Sequence, residues 1–356
     1  MHRRTRRTLL VVAGVVALLA LAVFLRSKAP PEAARLLPEA DGIIYVDLKT
    51  IRTLAHFKNM KPPTRVPEYQ QFVDATGIDW EQDLDQAAVA LHRTNDPNGP
   101  NGPVAYSMVL LGKLTGQRLN SWIESHATER ETYAGHTIYS IPSDGRIVRI
   151  VQVGYDMIAV SNWPTPEKIH SIIDQHRTAA LPFAGSTLLR EHYRDVPLLS
   201  LAWGVGQVGM PFSESGAIHV FGVALPFEED STIIASVAPG LNLKGTLNMK
   251  VEEIAQSADE ATSQAAAMAT LVTLARGMAQ PLAASPANNG LRELLRTVVV
   301  SQKQNRVVVS ASLSSGLLGS IAQSDSPQLN SAPAAPAAIQ DVTPAAAPPG
   351  APAASK

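Results

Sequence analysis

The sequence predicts an α+β protein: an N-terminal transmembrane helix, two related units of mixed sheet and helix, and a disordered Pro/Ala-rich tail. Three observations carry this reading. Leu9 to Leu25 contains no charge and no polar side chain, short β-branched runs bounded by turn residues alternate with amphipathic stretches through the middle, and the end is dominated by Pro, Ala and Ser. The boundaries drawn are 1–28 for a cytoplasmic basic stub and signal anchor, 29–37 for a stalk, 38–196 and 197–322 for the two units, and 323–356 for the tail.

In the first segment, Leu9, Leu10, Val11, Val12, Val15, Val16, Leu18, Leu19, Leu21, Val23, Phe24 and Leu25 supply the lipid-seeking surface. As a helix the run covers roughly 25 Å, near the lower limit for crossing a hydrocarbon core. Arg3, Arg4, Arg6 and Arg7 precede it, and only Arg26 and Lys28 follow. The larger basic cluster stays on the cytoplasmic side, which predicts a single-pass inner-membrane protein with its bulk exported. A cleaved secretory signal is the alternative: Ser27-Lys28-Ala29 has small residues at the right spacing, but the apolar core is longer than such signals carry and Pro30 follows directly. Thr5 to Leu10 also resembles a twin-arginine signal, a short pattern that basic flanks produce by chance.

Six of the 30 basic residues precede the first acid, Glu32, which leaves 24 against 31 acids and a formal charge of −7 for the exported part. That balance argues against nucleic acid as a partner, because phosphate backbones are held by clustered Lys and Arg. There are 0 cysteines, so disulfides, zinc-thiolate sites and a cysteine nucleophile are excluded.

After Pro30-Pro31, Ile43 to Leu48 reads as a strand, Tyr69 to Ala75 as a helix and Gln86 to His92 as a second strand. Asp96 to Pro103 is an exposed turn-rich loop. A pattern then occurs twice. The first copy runs strand 104–111, helix 115–126, strands 137–141, 147–153 and 157–160, and helix 165–176. The second runs strand 241–249, helix 251–282, a hairpin of 297–301 and 307–313 across Gln304-Asn305, and a closing segment 314–322. Ile254, Ala258, Ala261, Ala265, Met268, Val272, Ala275 and Met278 recur at helical spacing, with Glu252 and Glu253 at the positive end and Arg276 near the other. This stripe is expected to cover a sheet. A membrane-surface helix would carry Lys and Arg on its polar face, which this one lacks. The proline-rich tail implies an extended chain that buries no core.

Several motifs invite chemistry, and each has a plainer reading. Gly204-Val205-Gly206-Gln207-Val208-Gly209 spells a dinucleotide fingerprint after the apolar run Leu198 to Trp203, but another strand-like run, Ala217 to Leu225, follows where a helix must open. The glycines therefore read as a strand-to-strand turn. Glu167 and His170 lie three apart with His176 beyond, and His126 and His136 ten apart; one Glu-x-x-His is too little for a di-metal bundle, and solvated helix-face residues explain it. No G-x-S-x-G, S-x-x-K, H-E-x-x-H or phosphate-loop motif occurs. Trp80, Trp122, Trp163 and Trp203 are spread along the chain, which suits core or rim positions better than a shared sugar platform. No catalytic, cofactor-binding or metal residue is assigned, and no cofactor.

Leu36 to Asp47, LLPEADGIIYVD, placed after a basic membrane segment, resembles the opening of uncharacterised bacterial membrane-anchored envelope proteins with a duplicated α+β exported region, and Leu291 to Leu313 fits the same type. That resemblance implies a membrane-attached protein and carries no catalytic residues. The expectation is a non-enzymatic binding or structural protein, held in lipid through residues 9–25, that meets an envelope protein or polymer. The alternative is an exported hydrolase whose site is assembled from distant residues. Converging His, Ser and acidic side chains in a pocket would favour the hydrolase, and a broad apolar sheet face or groove would favour binding.

Overall fold

A computed structural model describes residues 29–54, 67–99, 102–178, 185–209, 217–220, 223–228, 231–240, 246–281 and 286–313. The anchor residues Leu9 to Leu25, their flanking Arg3, Arg4, Arg6 and Arg7, the segment 314–322 and the tail lie outside them. Among the described residues, no helix is long and apolar enough to cross a membrane.

The chain is α+β, dominated by one antiparallel sheet of 12 strands. Its strands are β1 (Gly42–Asp47), β2 (Leu84–Arg93), β3 (Val104–Gly112), β4 (Glu129–Tyr133), β5 (His136–Ser143), β6 (Arg146–Gly154), β7 (Met157–Ser161) and β8 (Ala202–Gln207), followed, after a separate hairpin of β9 (Ala217–Val220) and β10 (Val223–Pro226), by β11 (Thr232–Pro239), β12 (Leu247–Ile254), β13 (Val299–Lys303) and β14 (Arg306–Leu313). The order across the sheet is β13-β14-β12-β11-β8-β1-β2-β3-β7-β6-β5-β4. The central pair, β1 and β8, joins residues 42–46 to 202–206, so hydrogen bonding runs unbroken across the 196/197 boundary. Two-residue turns set the hairpin registers: Ala134-Gly135 and Asp144-Gly145 each have both φ values positive, as the twist-matching hairpin turn requires.

The helices are α1 (Glu32–Arg35), α2 (Leu48–Leu54), α3 (Pro67–Thr76), α4 (Trp80–Asp83), α5 (Gln117–His126), α6 (Glu167–Arg177), α7 (Thr187–His192), α8 (Ala258–Ala279) and α9 (Pro286–Thr297). On the back face, α1, α6 and α7 bury Ala33, Leu37, Ile169, Ile172, Ile173 and Leu189 against Tyr45, Ala88, Val109 and Trp203. On the front face, Phe72, Trp80, Leu119 and Ile123 pack over Leu110, Ile158 and Val160 at one flank. Ala261, Met268, Val272 and Leu294 pack over Val307, Val309 and Leu313 at the other. One back-face row of cross-strand partners reads Ile138, Val151, Ala159, Val109, Ala88, Tyr45, Trp203, Ser236, Lys250, Ser310 and Val299. It is apolar under the helices and turns largely polar beyond β8, as the open side of an antiparallel sheet does.

Five readings of the sequence differ from this arrangement. The segment 29–37, read as a stalk, is a helical turn whose Ala33, Ala34, Leu36 and Leu37 are buried in the core, because its apolar spacing meets the back face of β2 and β3. The helix expected at 251–282 starts at Ala258, where the Ser257 side chain caps it by accepting from the Glu260 N–H. Glu252 and Glu253 instead extend β12, which is paired on both sides and displaced from the expected 241–249. Gly204 and Gly206, read as a turn, lie within β8 between β1 and β11, and the chain bends after the strand at Val208 and Gly209, the latter with φ +94. The strand expected over 217–225 is the β9–β10 hairpin. Strands β4 and β11 had no counterpart in the sequence reading. Along α8, Ala261, Ala265, Met268 and Val272 are buried as the stripe requires, while Met278 points to solvent.

Candidate functional site

The place where His and Ser side chains converge is the back face of β2, β3 and β7. His92 Nε2 lies 3.0 Å from Ser107 Oγ, which lies 3.0 Å from Ser161 Oγ. The register that puts Ser107 opposite Ser161 forms this line. Ser161 Oγ is also 3.3 Å from the Tyr106 carbonyl, and the Trp163 ring stands edge-on to His92 at 5.5 Å. All three residues are sealed, with His92 at 1% exposure. Burial, reinforced by the Lys168 ammonium, pushes the His92 imidazole down to about 4. The Asp41 charge and the Glu39 backbone act weakly in the opposite direction, and no carboxylate is hydrogen-bonded to Nδ1. A general base works best with a pKa near the operating pH and needs a reachable substrate proton. This line offers neither and serves as a polar rivet between three strands.

The histidines considered as ligands are dispersed. His170 stacks on Tyr133 at 3.8 Å, and its Nε2 is 2.8 Å from Glu131 Oε1 without hydrogen-bond alignment. Glu167 bonds instead to Thr165. His126 stacks on Trp122 at 4.3 Å, and His136 Nδ1 meets the Gln152 carbonyl at 3.0 Å. Among the described residues, no three His, Asp or Glu side chains form a group able to hold a metal ion. Of the four tryptophans, Trp80 and Trp122 meet through Phe72, which stacks on the one and stands edge-on to the other, whereas Trp163 sits beside His92 and Trp203 stacks on Tyr45.

Among the described residues, two open surfaces lie on the sheet, besides an exposed groove at Leu274 and Met278 on α8. The first is a trough down the middle of the front face, between the two helix-covered flanks. Its rows are Val89-Ile44-Gly204-Ala235 and Ala87-Val46-Ala202-Val237, all apolar and mostly small. Ile44 keeps 36% of its surface. A β-carbon on Gly204 would meet nothing closer than 3.5 Å, so the floor there is bare rather than tightly packed. The second is a cleft of about 400 Å³ between α5 and strands β5 to β7, floored by Ile123, Ile150 and Ile158 and rimmed by Asn120, Gln152 and Tyr155. Neither surface pairs a serine with a histidine among the described residues, although in the cleft the Tyr139 hydroxyl donates to Glu124 at 3.2 Å. Sequence spacing did not reveal either, because their residues meet only through strand register.

Comparison with protein families and with curated proteins gives no match. Among solved structures, three crystal forms of a protein named TP0453 are similar. Form III is 10% identical with a TM-score of 0.41, covering 82% of this chain and 98% of TP0453. Form I is 9% identical at 0.40, covering 83% and 98%, and form IV is 9% identical at 0.40, covering 81% and 95%. Likeness at this level assigns neither family nor activity.

Proposed function

We propose that this chain is a single-pass, membrane-anchored, extracytoplasmic binding protein without catalytic activity, held in the inner membrane by Leu9 to Leu25 and presenting its sheet to an envelope protein or polymer. The apolar front-face trough carries the binding reading: partly exposed apolar rows at the centre of a sheet, with Ile44 the most open at 36%, offer area to a partner and no chemistry to a substrate. The sealed His92-Ser107-Ser161 line weighs against the exported hydrolase. The basic cluster before the apolar run supports the topology.

Strand order supports two related units within the one sheet. In the first half β1, β2 and β3 are successive neighbours, α5 follows, and the last strand, β7, returns beside β3. In the second half β8, β11 and β12 are successive neighbours, α8 and α9 follow, and the last strand, β14, returns beside β12. The antiparallel β1–β8 pair then lies at the junction of the two units.

Crosslinking in intact cells, followed by membrane solubilisation, pull-down and mass spectrometry, tests the proposal. The expected result is one reproducible envelope partner, whose recovery drops at least tenfold for Ile44→Lys while the variant's melting curve is unchanged. Recovery of the chain free of partners, or equal recovery with the variant, would contradict it.

A further inference from the structure

The cleft beside α5 is a cavity that the trough-based reading leaves unused. Helix α5 buries Leu119 and Ile123 against the front face, where Tyr139 pairs with Ile150 and Gln152 with Ile158. Ile150 and Gln152 are two apart on β6, so both side chains enter the same space. The floor is isoleucine, with Ile123 and Ile158 almost wholly buried. The walls are polar. The Tyr139 hydroxyl donates to Glu124 at 3.2 Å, and Gln152 gives an amide N–H to the Gly154 carbonyl at 3.2 Å. His136 Nδ1 lies 3.0 Å from the Gln152 backbone carbonyl. A carbonyl only accepts, so Nδ1 carries the proton and the neutral ring keeps Nε2 as an acceptor. The Glu124 carboxylate and the Gln152 side-chain oxygen are further acceptors. At the mouth, β6 has an irregularity between Gln152 and Gly154, and the turn after it holds Tyr155 with 86% of its surface exposed.

We propose that this cleft binds a neutral saccharide, taking one or two rings of an oligosaccharide. A sugar ring has an apolar C–H face, which suits the isoleucine floor and the Tyr155 ring, and a rim of hydroxyls, which suits the acceptors on the walls. The volume, about 400 Å³, falls within the range of about 300 to 1,000 Å³ for small-molecule sites. No Lys or Arg is among the lining residues, so a phosphate or carboxylate would find no counter-charge and would be repelled by Glu124. Arg130, over the Tyr139 ring at 5.4 Å, offsets the Glu124 charge from outside the cleft and removes the pull on a cation. An acyl chain would leave the wall acceptors buried and unpaired. The cleft is separate from the trough, and the assignment stands whether or not the chain is anchored.

Isoleucine-methyl spectra of the full chain, held in a zwitterionic detergent that carries no sugar headgroup, test this with N,N′-diacetylchitobiose, cellobiose and maltose. At least one disaccharide should give saturable shifts of the Ile123, Ile150 and Ile158 methyl resonances while Ile44, in the trough, stays unmoved. Tyr155→Ala and Gln152→Ala, both at exposed positions, should each weaken that binding at least tenfold and leave the melting curve unchanged. Ile44→Lys should leave it unaltered, so that the cleft and the trough fail independently. No saturation with any of the three by about 10 mM would overturn the proposal. So would equal binding by either cleft variant, or tighter binding of inorganic phosphate, choline or decanoate than of every disaccharide.

Discussion

Tyr45 of β1 and Trp203 of β8 are direct cross-strand partners whose rings stack, with centroids 5.5 Å apart and planes 25° from parallel. Tyr193 meets the Trp203 ring edge-on at 5.5 Å. These three rings sit where the chain's two halves share their central strand pair, so the stack is part of what makes one sheet of both. Truncation there is predicted to weaken the whole molecule: Trp203→Ala should cost about 3 to 5 kcal/mol and leave a cavity at the junction. Chemical denaturation followed by far-ultraviolet circular dichroism checks the size of the loss. A variant within 1 kcal/mol of the natural chain would show that the stack does not hold the junction.

Arg306 closes the back face beyond that junction. Its Nη1 is 3.0 Å from Glu252 and its Nη2 3.2 Å from Asp195, and Lys250 also pairs with Glu252. Glu252 is almost wholly buried, whereas Arg306 keeps about a quarter of its side-chain surface. Arg306→Ala should therefore cost about 2 kcal/mol, between the values for exposed and buried pairs. Combining it with Glu252→Gln should cost less than the sum of the two single changes, as urea denaturation would show.

His92 gives stability a pH slope of its own. Its imidazole falls from 6.5 to about 4 on folding because the charged form is desolvated. A group depressed in this way contributes stability that is present above its unfolded value and lost as pH falls through the folded one, so the loss is expected between pH 6.5 and 4. It amounts to about 3 kcal/mol. Denaturation midpoints across that window should fall for the natural chain and flatten for His92→Gln. The His92 ring proton resonance should stay at its neutral position down to pH 5.

Ser257 starts α8. Its side chain accepts the Glu260 N–H at 3.2 Å, and Ser257→Ala should cost about 1 kcal/mol, read as a lower thermal midpoint. Thr262→Ala, one turn on and exposed, is the control and should leave the midpoint within about 0.5 kcal/mol equivalent.

The first half was largely legible because its strands alternate and its turns carry Gly, Pro or Asp at the ends. Met157 to Val160 was recognisable as a short strand, and Gln304-Asn305 marked the last hairpin. The second half misled for physical reasons. Glu252 and Glu253 before an Ala-rich stretch imitate a helix N-terminus, and only tertiary packing reveals two acids inside a strand. Gly204 and Gly206 punctuate the sequence as a turn would, yet a central strand tolerates them because its neighbours supply the hydrogen bonds and the trough needs no side chain. The His92-Ser107-Ser161 line had no local signature beyond serines set in otherwise apolar strands, since its members are joined by register alone.

The central claim is that the chain stays fixed in the membrane by its own N-terminus. Intact-mass spectrometry of the chain recovered from alkali-washed cell membranes tests this most directly. The account predicts a membrane-bound species whose mass includes residues 1–28. A soluble species beginning after Ala29 would contradict it and bring the exported hydrolase forward.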